Sequence, residues 1–295
     1  MEVLRVKSNC VVAYRSTIGR EATDRQLSVL KENWRAVEYT GKLSAATQSK
    51  IKQMIGCWSD TINTYNSQKC NWNLKRKRSL KFLTLTISKP TTYTDNEVKR
   101  KLLIPFITKL KRLFNVEHYF WRAEAQENGN IHFHLIIDQY IKKEAVNLEW
   151  DKSQYIAGII NTKPVWDEKY QSPSTRIEEC KSQKYIAAYV VKYCLKDEKY
   201  RKINGRIWGC SDELKNLKYC EFNDCVEVCE EFSSIVKESK CNVFESDNYK
   251  VYCVSLLYDE CAKSSWLRTM IEDVMIDNYT MLYPNDRQIY VKYLK

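Results

Sequence analysis

The chain has 295 residues, with 48 Lys plus Arg against 37 Asp plus Glu and a formal charge of +11. A hydrophobic content of 44% with 12% aromatics excludes a disordered chain, and seven glycines and five prolines exclude a collagen-like or linker-rich one. No apolar run approaches the ~20 residues of a membrane span, and Met1–Lys7 lacks the apolar stretch of a signal peptide. The expectation is therefore a soluble, cytoplasmic protein with no membrane partner, whose basic charge suits an acidic partner, most simply nucleic acid.

The twelve cysteines are scattered, and no C-x-x-C occurs. The nearest approach to a cluster is Cys220, Cys225 and Cys229, with no histidine close by. Free thiols packed as small hydrophobes are the expectation, rather than a disulfide scaffold or a zinc site.

A short strand opens the chain, and a helix is predicted from Thr23, where Thr23 and Gln26 have capping-box spacing. A second helix is predicted from Ser44 to about Thr61, with Ile51, Ile55, Trp58 and Ile62 on one face. A basic run, Lys75-Arg76-Lys77-Arg78, precedes a strand over Leu80–Ile87. Thr94 and Glu97 repeat the capping-box spacing and open a helix to about Phe114, which Pro105 should kink. Residues 117–126 and 131–138 read as two strands around Asn128-Gly129, a strong hairpin signal. A polar helix over 143–160, an irregular segment with Pro164 and Pro173, and a helix over 179–196 follow. Beyond residue 212 the composition turns locally acidic, with strands near 250–257 and 288–294 around a helix at 265–277. This order predicts an α+β fold with a mainly antiparallel sheet. The predicted division is an N-terminal extension (1–40), a central domain (41–212) and a C-terminal region (213–295).

The only histidines are His118, His132 and His134, and two of them form His132-Phe133-His134 inside an apolar strand. Residues i and i+2 of a strand point to one face, ~6.6 Å apart, so two imidazoles there can share a metal ion. Glu124 decides whether a carboxylate joins them. With Asn128-Gly129 alone as the loop, His132 faces Ala125. With Glu127-Asn128-Gly129 and Gly129 left-handed, Gln126 pairs with Asn130 and Glu124 faces His132. Gly at the last loop position favours the second arrangement, whose mixed ligand set suits Mg²⁺ or Mn²⁺. His118 is a further nitrogen candidate. Near residue 190, Tyr189 and Tyr193 are i,i+4 neighbours on a helix, bordered by Lys192 and Lys196. The lysines suit a phosphate-binding surface and favour a phenolate nucleophile.

In order, Phe82-Leu83-Thr84-Leu85-Thr86, His132-Phe133-His134 with Glu124 upstream, and Tyr189-Val190-Val191-Lys192-Tyr193 resemble the HUH (His-hydrophobe-His) single-strand endonucleases. The paired tyrosines are similar to those of the two-tyrosine rolling-circle replication initiators of small single-stranded DNA phages and related plasmids. Gly41-Lys42-Leu43-Ser44 and Gly205–Ser211 add to the resemblance, which covers roughly residues 40–212. It implies a ferredoxin/RRM-like antiparallel sheet with flanking helices. It also implies a divalent metal held by His132, His134 and Glu124, with Tyr189 and Tyr193 as nucleophiles and Lys192 beside them. The implied reaction nicks single-stranded DNA at a replication origin, leaving a 5′-phosphotyrosine link and a 3′-OH. In a phage-encoded initiator the compartment would be the host cytoplasm. Lys75, Arg76, Lys77, Arg78, Lys196 and the 99–112 helix could track the DNA backbone, with Trp121 or Trp208 as stacking surfaces. No P-loop motif occurs, so a host helicase and polymerase would be partners. The other readings are a transposase or mobilisation relaxase with the same chemistry, or a non-catalytic RRM-like binding module.

Overall fold

The structure, a computed structural model, describes residues 2–7, 10–15, 28, 43–67, 78–179, 201–223, 225–238, 243–246, 249–253 and 265–284. Along the chain run β1 (Glu2–Val6), β2 (Cys10–Arg15), α1 (Ala45–Ser67), β3 (Lys81–Leu85), α2 (Asp95–Val98), α3 (Ile104–Phe114), β4 (Tyr119–Ala125) and β5 (Ile131–Ile137). They are followed by α4 (Lys143–Ile156), β6 (Thr175–Glu179), β7 (Trp208–Cys210), α5 (Asp212–Lys215), β8 (Cys220–Asn223), α6 (Val226–Glu238), β9 (Val243–Ser246), β10 (Tyr249–Cys253) and α7 (Ser265–Leu282). No helix among the described residues is long and apolar enough to cross a membrane. The chain divides into two compact units, residues 40–52 with 66–216, and residues 1–39 with 53–65 and 217–295.

The first unit is α+β, built on an antiparallel five-stranded sheet of order β6-β3-β5-β4-β7, compatible with an RRM-like or HUH fold. Strand β5 is central and carries an almost unbroken apolar run, Ile131 to Ile137, because both of its faces are covered or half-covered. One face packs helices. Phe133 lies edge-on to both Trp121 and Trp150, and Trp150 lies edge-on to Phe106 of α3. The Trp150 indole N–H donates to the Thr86 carbonyl at 2.8 Å, which ties α4 to the chain just beyond β3. The other face carries Phe82, Thr84, Phe120, Arg122, Glu124, His132, His134 and Ile136, which share rows across β3, β5 and β4.

Local signals explain most boundaries. Thr94 and Glu97 form the reciprocal capping box, with Glu97 accepting from the Thr94 N–H at 3.0 Å. The kink expected at Pro105 takes the form of a π-helical turn, Lys99–Leu103, just upstream. The proline ring cannot share space with the carbonyl one turn back and offers no N–H, and the wider turn accommodates both defects. Asn115, left-handed at φ 54°, ends α3. Strand β6, in a stretch expected to be irregular, exists by pairing with β3, register Leu85↔Thr175 to Lys81↔Glu179.

The second unit joins both ends of the chain in one antiparallel sheet of order β8-β1-β2-β10-β9. Leu4, Val6 and Val11 share a core with Phe232 of α6 and Leu267, Ile271 and Met275 of α7. Cys220 and Cys229 pack against that core, and the described cysteines are free thiols. Trp58 of α1 donates its indole N–H to the Tyr283 hydroxyl at 3.0 Å.

Trp150 is fully buried beneath the central strand. Trp150→Ala should therefore lower stability by about 3–5 kcal/mol, from the cavity it leaves and the orphaned Thr86 carbonyl. Urea unfolding should show a lower midpoint with an unchanged slope.

Candidate metal centre

The site is set by a turn. The Gln126 N–H donates to the Asn130 carbonyl at 2.8 Å, and the Gly129 N–H to the Gln126 carbonyl at 3.0 Å. The loop is thus Glu127-Asn128-Gly129, with Gly129 at φ 84°. A side chain there would meet no atom, but the left-handed backbone disfavours any L residue. This loop places Glu124 opposite His132 and Arg122 opposite His134.

Both imidazoles converge on one carboxylate oxygen. His132 Nε2 and His134 Nε2 each lie 2.9 Å from Glu124 Oε2, and the rings meet edge to face with centroids 4.6 Å apart. The three ligand atoms all lie within 4.8 Å of one another, the arrangement of a group that could hold a metal ion. His134 is the buried member, whereas Glu124 and His132 keep partial exposure, so one side of the site faces outward. The donor set fits a divalent cation: two neutral nitrogens and one carboxylate supply three ligands and leave coordination positions open.

The protonation states are prepared for that role. Burial works against the Glu124 carboxylate, but the hydrogen bonds from His132 and His134 outweigh it and hold the carboxyl far below its usual range. For His134 burial dominates and lowers the pKa, helped by the neighbouring His132 and Arg122 charges, so the ring is neutral at pH 7. Phe82 stacks on His134 at 5.4 Å and supplies part of that apolar wall.

Thr84 is a site residue that sequence reasoning placed only in a strand. It sits opposite His134 across β3–β5, and its hydroxyl lies 3.2 Å from His134 Nδ1. A hydroxyl can donate or accept, so Thr84 satisfies Nδ1 in either tautomer and fixes the ring plane. Strand parity and the register to His134 are the signals that point to it.

Other expected residues lie elsewhere. His118 is buried away from the cluster, with Nδ1 3.3 Å from Ser211 Oγ. Arg78, grouped with the backbone-tracking lysines, is turned inward instead. It is buried, hydrogen-bonded to Glu117 at 2.7 Å and faces Asp138 at 3.9 Å, where it offsets the charge of two carboxylates. Lys99 is likewise buried rather than on an outer face, and Lys109 pairs with Glu149 at 3.5 Å. Trp121 is buried and Trp208 half-buried on Phe120, so Trp121 offers no open stacking surface. Lys75, Arg76, Lys77, Tyr189, Lys192, Tyr193 and Lys196 lie outside the described residues.

Thr84→Val keeps the shape of the side chain but removes the Nδ1 partner. It should weaken Mn²⁺ binding about 10-fold or more, read by titration calorimetry, while leaving the unfolding midpoint close to that of the wild type.

Residues 80–198, less than half of the chain, match the family model of replication-associated protein ORF2. No curated protein and no solved structure matches the chain. The matched stretch holds β3 through β6, and with them every residue of the His132–His134–Glu124 cluster. It supports a replication-associated role, that of a replication initiator.

Proposed function

We propose that the protein is a metal-dependent single-strand DNA nicking and joining enzyme that opens a replication origin through a tyrosine nucleophile. The observation that carries this reading is the convergence of two imidazoles and one carboxylate on the central strand, within the replication-associated match. His132, His134 and Glu124 would hold Mg²⁺ or Mn²⁺ through Nε2, Nε2 and Oε2. Such an ion supplies Lewis-acid polarisation of the scissile phosphate.

The rest of the chemistry belongs to the sequence pattern of residues 189–196. The phenol oxygen of Tyr189 or Tyr193 loses its proton and attacks phosphorus. The P–O3′ bond breaks, a phosphotyrosine bond forms at the 5′ side, and the leaving 3′ oxygen takes up a proton. Lys192 favours the phenolate and offsets charge on the pentavalent phosphorus. The free 3′-OH primes a host polymerase, and a host helicase separates the strands. A second tyrosine can attack the junction once one round of synthesis regenerates it. Lys75, Arg76, Lys77 and Lys196 would contact backbone phosphates.

The test uses a pool of random single-stranded oligonucleotides with Mn²⁺. Denaturing gels should show a covalent protein–DNA adduct whose recovered strands share a sequence. Chelation, or the double change His132→Ala with His134→Ala, should abolish the adduct while leaving much of the DNA affinity. Phe at Tyr189 or at Tyr193 should each leave some adduct, and Phe at both should leave none. Binding without any adduct would overturn the nicking reading in favour of a binding module, and an adduct surviving both Phe changes would remove these tyrosines as nucleophiles.

A further inference from the structure

Residues 201–207 are fastened to the first unit by more polar contacts than a connecting loop needs. Arg201 forms a two-pronged ion pair with Asp95 at the start of α2, at 2.7 and 2.6 Å. Its Nε donates to the Gly129 carbonyl, in the turn of the β4–β5 hairpin, at 2.9 Å. The Asn204 N–H donates to Asp95 as well, at 2.8 Å. Lys99, at the first position of the π-helical turn, directs its three N–H donors to Asn96 and to the carbonyls of Asn204 and Arg206. Gly205 sits at φ 74°, where a Cβ would collide with the Asn96 side-chain oxygen. Ile203 and Ile207 are buried on either side.

Two of these charges, Asp95 and Lys99, are themselves buried. Burying charged groups is unfavourable and adds little net stability even when they are paired. A few apolar contacts would close the same loop with less desolvation. What a fork, a three-way ammonium and an obligatory glycine provide instead is one position in space.

That position has a direction. Glu179 ends β6 opposite Lys81, which in turn faces Ile137, at the end of the sheet away from His132 and Glu124. Arg201 is held at the hairpin turn, at the end beside them. The residues between these two anchors include Tyr189, Lys192 and Tyr193. Arg201 also bonds the turn whose left-handed Gly129 sets the register of Glu124 against His132.

We infer that Arg201, through its fork to Asp95 and its bond to Gly129, is a positioning residue that fixes the chain leaving the tyrosine segment against the hairpin that bears the metal ligands. The inference rests on the proposed nicking function and adds a residue to it. Arg201 touches neither DNA nor metal in this role. It sets how closely a phenol reaches the held phosphate, where an error of ~1 Å costs on the order of 100-fold in rate.

The experiment compares the full-length wild type with Arg201→Gln on a strand recovered from the oligonucleotide pool. Arg201→Lys keeps the charge, loses the fork and the Gly129 bond, and serves if the Gln variant does not fold. Four quantities are read well below the unfolding midpoint: Mn²⁺ affinity by calorimetry, strand affinity, single-turnover adduct formation, and the share of adduct at Tyr189 and Tyr193 by peptide mapping. Adduct formation should slow about 30- to 100-fold and the tyrosine shares should shift, with Mn²⁺ and strand affinities within about threefold of the wild type. An unchanged rate and unchanged shares in a folded variant would overturn the inference. So would a loss of Mn²⁺ affinity in step with the rate, which would make Arg201 a support of the metal site alone. A wild type that forms no adduct would instead remove the nicking reading, and this inference with it.

Discussion

The pairing register of one hairpin is the constraint on which the candidate site depends. In a strand the side-chain period is two, so a slip of one residue moves every side chain to the other face. With a two-residue loop, Ala125 would face His132 and Glu124 would turn toward the helices. The third loop residue, left-handed Gly129, prevents this and sets Glu124 against His132. Everything else at the site is built outward from that pair: His134 two residues on, Thr84 across β3–β5, and Phe82 stacked on His134.

The sheet divides its labour between its faces. Trp121, Phe133 and Trp150 make one side an interlocked aromatic layer, which gives the central strand a rigid backing. The opposite face can then carry polar groups, because Glu124, His132, His134 and Thr84 find partners across the rows. Burial would make this pocket hostile to the Glu124 carboxylate, and the two imidazoles that share its oxygen reverse that effect. A cation arriving there would meet ligands already gathered at one point, with little reorganisation left to make.

Features coded within a few residues were legible in the sequence. The capping box at Thr94–Glu97, the turn at Gly129 and the one-face parity of His132 and His134 are all short-range signals. What stayed hidden was non-local. Strand β6, the five residues Thr175–Glu179, exists because β3 offers it an edge, and nothing inside that short, charged segment announces it. Strands β2, β8 and β9 are hidden for the same reason. Arg78 reads as part of a basic run because the sequence shows the charge and not the distant carboxylates of Glu117 and Asp138 that draw it inward. Thr84 is an ordinary strand threonine until the register sets it beside an imidazole.

The sheet that joins the two ends of the chain bears on the order in which the protein is made. Arg5 of β1 and Glu221 of β8 are hydrogen-bonded across 216 positions of sequence. At a synthesis rate of about 5–20 residues per second, β1 and β2 wait roughly 10–40 s for β8. A two-stranded hairpin is marginal on its own, while the sheet bearing the metal ligands is complete once residue 210 has emerged. The unit with the chemistry can therefore fold on the ribosome before its own N-terminus has a permanent partner. The earliest strands made are among the last to be secured, and their unpaired edges are what a chaperone would meet first.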